Sequence, residues 1–99
     1  MFIRRVIGSS MMPALREGDY VVCAKKRTYK VGDVVIFRID NKELIKRIYG
    51  KTEDKMYVLG DNQDASTDSR KFGAVSLNAI KGRCLYKYRT RPPIVERLQ

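Results

Sequence analysis

Apolar and polar positions alternate with a period of two through the middle of the chain, the signature of strands with one buried face. Tyr20-Val21-Val22-Cys23 reads as one strand, and the apolar run Val34-Val35-Ile36-Phe37, extended to Ile39, as another. Asp40-Asn41 is a turn signal between that run and Glu43 to Tyr49, so the two read as a hairpin. Met56 to Leu59 and Gly82 to Tyr88 are further strands, and the pairs Gly18-Asp19, Gly32-Asp33 and Gly60-Asp61 punctuate the runs. Only Met12 to Glu17, where Pro13 suits a first helical turn, and Leu77 to Ile80 could hold helix. The pattern predicts a mainly β fold: a single compact domain over residues 1–89 with at most one or two short helical turns. From Thr90 onward Arg91-Pro92-Pro93 breaks the pattern, so residues 90–99 are expected to be a flexible basic tail.

Composition removes several chemistries. The chain of 99 residues has no His, which excludes a Ser-His-Asp triad, a histidine base and His-rich metal sites. Two cysteines, Cys23 and Cys84, are too few for a structural zinc site; both read as small, reduced core residues, with a disulfide the weaker reading. The apolar runs are far shorter than the roughly 20 residues that a spanning helix needs. The start, MFIRRVIGSS, lacks the apolar stretch of a secretory signal, so the expected location is cytoplasmic. The net charge of +10 is spread along the chain without a nucleic-acid-binding motif, and no specific nucleic-acid partner is expected. A basic surface can still meet anionic membrane at its inner face, with Phe2, Met11 and Met12 as candidate apolar contacts. No cofactor and no metal is expected. Asp61, Asp64 and Asp68 fail the calcium-loop register, with no glycine at the sixth place and no closing glutamate.

Three segments carry chemistry. In Gly8-Ser9-Ser10-Met11-Met12-Pro13-Ala14-Leu15, Ser10 can be a helix cap or a nucleophile. In Leu44-Ile45-Lys46-Arg47-Ile48, strand alternation puts Lys46 on the face of Leu44 and Ile48, and Arg47 on the other. Such a lysine either snorkels to water at a sheet edge or, if buried, loses affinity for its proton. The third segment, Gly60 to Arg70, is a polar loop rich in turn residues.

Taken in this order, the three segments resemble the signal peptidase I family of serine/lysine endopeptidases. Ser10-Met11-Met12-Pro13 with Leu15 and Gly18-Asp19 fills the nucleophile box. Lys46-Arg47 fills the lysine box, and Gly60-Asp61-Asn62 with Ser66 to Arg70 the third. The resemblance implies a signal-peptidase-like β core with Ser10 as nucleophile and neutral Lys46 as general base. It also implies Ser66 as the hydrogen-bonding partner that orients the lysine amine. Asp61, Asn62, Asp68, Ser69, Arg70 and Arg47 fall to structural support, and Gly8 to the oxyanion region, where some members carry a serine. The expected substrate is a precursor protein or leader peptide, cut after a small residue. The short form, without a membrane span or the usual insertion after the lysine box, is similar to the maturation peptidases of nickel-type superoxide dismutases.

Two other readings compete. The self-cleaving domain of SOS-response repressors shares the Ser…Lys logic, but it lacks the Gly-Asp-Asn…Ser-x-Asp-Ser-Arg loop and follows a DNA-binding helix-turn-helix. A non-catalytic basic β-module, binding nucleic acid or anionic membrane, would require a charged and exposed Lys46.

Overall fold

The computed structural model describes residues 1–98. Its strands are β1 (Phe2–Arg5), β2 (Tyr20–Ala24), β3 (Val34–Ile39), β4 (Lys42–Lys51), β5 (Lys55–Leu59), β6 (Val75–Ser76), β7 (Ile80–Thr90) and β8 (Pro93–Arg97). The one α-helix among the described residues, α1 (Ser69–Phe72), lies between β5 and β6. The strands form an antiparallel sheet in the order β1-β2-β7-β3-β4-β5-β6, with β8 added on β7. The fold is mainly β. No helix among the described residues is long and apolar enough to cross a membrane.

Turn chemistry fixes the central hairpin. Asp40 and Asn41 both adopt positive φ (50° and 63°), which matches the right-handed twist of the flanking strands and sets Ile36 opposite Ile45 and Val35 opposite Lys46. The continuous run Val34–Phe37 is explained by two core clusters, one on each side of β3. Val34 and Ile36 join Val6, Met11, Leu15, Val21 and the two cysteines; Val35 and Phe37 join Ile48, Met56, Val58 and Ile80. Cys23 and Cys84 face each other across β2 and β7 as buried free thiols.

The structure corrects and refines this reading. The segment after Thr90 is not a loose tail throughout: Pro93–Arg97 is a strand paired with β7. Pro93 occupies the first position of an edge strand, where its missing N–H costs no ladder bond; Gln99 lies outside the described residues. Met12 to Glu17 holds no more than one turn, closed by the Leu15 N–H on Met11 O (2.9 Å); it goes no further as helix, and the Ser10 carbonyl accepts the Asn62 N–H instead. Within the polar loop, Gln63–Ala65 winds into a 3₁₀ turn, and Asp68 starts α1 by accepting the Arg70 N–H at its N-cap. Leu77–Ala79 is a 3₁₀ turn. β1 was not read from the sequence at all. Its inward residues are Phe2 and Arg4, and Arg4 is tolerated there because its guanidinium stacks on the Phe2 ring and pairs with Glu43.

Candidate active site

Ser10 lies in the connection between β1 and β2, and that connection is tied down along its length. At its neck the Val6 N–H donates to Asp19 O (2.7 Å) and the Gly18 N–H to Val6 O (2.8 Å), which prolongs the β1–β2 pairing. Below the neck, Asp19 receives Nε and Nη2 of Arg89 at 2.8 and 2.9 Å and the Arg16 N–H at 2.9 Å. Met11 and Leu15 are buried in the first core cluster, and the buried Lys87 amine donates to Ala14 O (3.0 Å). Gly8 has φ +81°, a conformation glycine adopts without strain, and its N–H donates to Glu17 Oε1 (2.8 Å). The Ser10 N–H makes no hydrogen bond among the described residues.

Lys46 meets Ser10 from β4. Its side chain lies on the face of Leu44 and Ile48 against the second core cluster, and only 4% of the residue is exposed. Nζ lies 2.8 Å from Ser10 Oγ. Burial pushes the lysine pKa down from its ordinary value, against a smaller upward pull from the Asp68 charge. The amine therefore does not snorkel to solvent.

The third segment packs behind this pair. The Asn62 N–H donates to Ser10 O (2.8 Å) and its Nδ2 to Ser9 O (3.1 Å), so this loop holds the serine backbone directly. Asp68 is fully buried and accepts from the Gly60 N–H (3.1 Å), Ser66 Oγ (2.8 Å) and Arg70 Nε (2.9 Å). Burial alone would raise its pKa; the Arg70 guanidinium, the Gly60 N–H and the Ser66 hydroxyl outweigh it and hold the carboxyl well below the usual range. Ser69 Oγ accepts the Val58 N–H (2.8 Å), which seats α1 on β5. Arg47, on the opposite face of β4 from Lys46, binds both oxygens of Asp61 at 2.9 Å and donates to Gly32 O (2.8 Å). One expected contact is placed differently. Ser66 donates its hydroxyl to Asp68, and no hydrogen bond joins it to Lys46 among the described residues.

Comparison with known proteins gives this geometry a family. A profile of the family described as Peptidase S24-like matches residues 1–82. The chain belongs to this peptidase family. The chain is 29% identical to mitochondrial inner membrane protease subunit 1 of Xenopus tropicalis over 79% of its own length and 64% of that protein. It is also 36% identical to the LexA repressor of Syntrophotalea carbinolica, over 52% of the present chain and 26% of the repressor. It thus spans less than two thirds of either relative. These findings bear out the likeness to the signal peptidase family.

Three supports of this site escape a reading of side-chain chemistry. Gly60 is required by close approach: a Cβ there would lie 2.6 Å from Ser10 O, and nearer still to Ser66 Oγ. Its place beside Asp61-Asn62 is the signal that could have found it. Asp19 was visible as turn punctuation and as part of the nucleophile box but with no role, and its half-buried partner Arg89 carries no local mark. Lys87 sits between two exposed tyrosines on a strand, so alternation shows that it points inward but not that it holds the serine loop.

The Arg47–Asp61 pair gives a modest prediction. Arg47→Lys keeps the charge but cannot bind both carboxylate oxygens and the Gly32 carbonyl together. Urea unfolding should show a loss of about 1–2 kcal/mol, with the denaturant slope unchanged.

Proposed function

We propose that the chain is a serine endopeptidase that cuts an extended leader or signal peptide from a precursor through a Ser10/Lys46 dyad. The observation that carries this reading is the 2.8 Å approach of a buried lysine amine to a serine hydroxyl. Neutral Lys46 takes the Ser10 proton as Oγ bonds to the scissile carbonyl carbon. The same amine returns that proton to the leaving nitrogen as the C–N bond breaks, leaving an acyl-enzyme. It then removes a proton from the water that hydrolyses the ester. The unpaired Ser10 N–H is available to the oxyanion. Ser66 acts on the lysine through Asp68, whose charge keeps the amine from losing its proton affinity altogether.

Substrate is received in a cleft of about 240 Å³ lined by Ser10, Lys46, Ile7, Ile36, Leu44 and Ile45. It runs between two free strand edges: β1 pairs only with β2, and β5 joins β4 only from Arg47 onward. An extended peptide can add to either edge through main-chain hydrogen bonds. The shallow cleft suits a small side chain beside the scissile bond. No cofactor enters this mechanism.

The test uses a mixed library of Ala-containing peptides read by mass spectrometry with wild type, Ser10→Ala and Lys46→Ala. Cleavage after small residues that disappears in both variants is expected. Its rate should rise with pH through the depressed lysine pKa, because only the neutral amine accepts the proton. Cleavage that survives in both variants, or its absence from a folded wild type, would overturn the reading. Incubating the protein alone covers self-cleavage, the alternative favoured by the LexA likeness. Cutting of the chain itself at a rate independent of concentration would select it.

A further inference from the structure

The two cysteines of the chain stand directly opposite each other in neighbouring strands. Register pairs Cys23 of β2 with Cys84 of β7, although they lie 61 positions apart in sequence. Opposed residues of an antiparallel ladder have Cα atoms about 4.5–5.5 Å apart, inside the window of roughly 4.4–6.8 Å that a disulfide spans. Both side chains are fully buried in the first core cluster, and Sγ of Cys23 lies 3.4 Å from Sγ of Cys84. This opposition depends on a bulge. Val22 faces Tyr86, so a regular ladder would set Cys23 opposite Leu85 and leave Cys84 on the other face; the register shift brings both sulfurs to one side. The bulge is held from β8, where the Leu98 N–H donates to Leu85 O (2.8 Å).

We propose that Cys23 and Cys84 form a site of reversible oxidation, closed to a disulfide by exchange with a low-molecular-weight disulfide such as glutathione disulfide. Cys23 is the first to lose its proton: the Cys84 thiol hydrogen-bonds to it and the Arg4 charge favours the thiolate, which together outweigh burial. The Cys23 thiolate bonds to one glutathione sulfur, and the S–S bond breaks to release a glutathione thiolate that takes up a proton. Cys84 then gives up its proton and bonds to Cys23 Sγ, expelling the second glutathione. The dithiol loses two electrons and two protons, and glutathione disulfide gains both. Access is through β1, which is four residues long, pairs on one side only and sets Phe2 opposite Cys23 over the cluster. The bond would close a loop of chain containing β3, β4, β5 and Lys46, and remove that loop's freedom from the unfolded state. Met11 and Leu15, which seat the Ser10 loop, pack on the same cluster, so the stapled core is the floor beneath the serine.

The test equilibrates the full chain in glutathione buffers of graded ratio (squared glutathione over glutathione disulfide), native and in concentrated urea. Acid quenching, alkylation and mass spectrometry then give the fraction that carries the intramolecular bond. A fold that holds the sulfurs together favours the bond over the unfolded chain, so half-oxidation of the native protein should come at a ratio roughly 100- to 1,000-fold higher than in urea. The oxidised protein should unfold at about 2 M more urea than the reduced protein, and dithiothreitol should reverse the gain. Cys23→Ala should give one alkylated thiol and the same midpoint in every buffer. A native ratio equal to or below that in urea would overturn the proposal. So would a native protein that stops at the glutathione adduct or links to a second copy. The unmutated chain decides the matter even where Cys23→Ala does not fold, and no cleavage is measured, so the outcome is independent of the Ser10/Lys46 reading.

Discussion

Lys46→Met is expected to abolish cleavage and to stabilise the protein at the same time. The loss should reach at least about 10³–10⁴-fold in kcat, the range of a missing general base. Ser10 keeps its place in that variant, because the Asn62 N–H and the buried Met11 and Leu15 hold its loop independently. Met matches the length of the lysine stem in the buried slot but brings no charge to desolvate. The gain in stability should be about 1–2 kcal/mol near neutral pH. Its sign follows from the lowered lysine pKa. The folded state disfavours the proton that the unfolded chain holds, so wild type carries the full penalty below the folded pKa. That penalty fades as pH rises toward the unfolded value, and the advantage of Lys46→Met should fade with it. Urea unfolding at pH 7 and pH 10 reads this directly. A destabilised variant at pH 7 would mean that the amine is a structural group and not a strained base.

Gly60→Ala should have the second-largest effect, with an opposite stability outcome. The added methyl would meet the Ser10 carbonyl oxygen at 2.6 Å and press on the Ser66 hydroxyl, one a backbone atom and the other bonded to buried Asp68. Neither can retreat cheaply. Overpacking of this kind costs about 1–3 kcal/mol. Relief by sliding the 60–62 loop would move Asn62, which holds both Ser9 O and Ser10 O, and displace the nucleophile from Lys46. A shift of that size should cost about 100-fold in kcat even in protein that remains folded. Activity and unfolding midpoints on the same preparation separate the two effects. Full activity in a variant of unchanged stability would show that the contact is not rigid.

The strands that carry the site were legible because each has one or two clean periodic faces. Val34–Phe37 declares a strand buried on both sides, and Asp40-Asn41 declares the turn that sets Val35 opposite Lys46. The buried polar groups were legible only as motifs. Nothing local tells whether Lys46 ends in water or on Ser10, since that depends on a loop from the other end of the sheet. Ser66 shows the limit of carrying roles across by likeness, because here its proton goes to Asp68. β1 and β8 were hidden for different reasons. An inward Arg4 breaks the apolar alternation of the first, and prolines introduce the second. Met11 looked like a surface residue beside Met12, but the turn it opens, closed by the Leu15 N–H on its carbonyl, folds it into the core.

The central claim is that Lys46 is neutral at working pH because it is buried against Ser10. Its most direct test is an NMR titration of lysine side-chain signals, with the Lys46 resonance assigned by its disappearance in Lys46→Met. The account predicts that this amine loses its proton below the ordinary lysine value. The cleavage rate should rise over the same pH interval. A Lys46 signal that titrates at or above the ordinary lysine value would contradict it, since a charged amine cannot take the Ser10 proton.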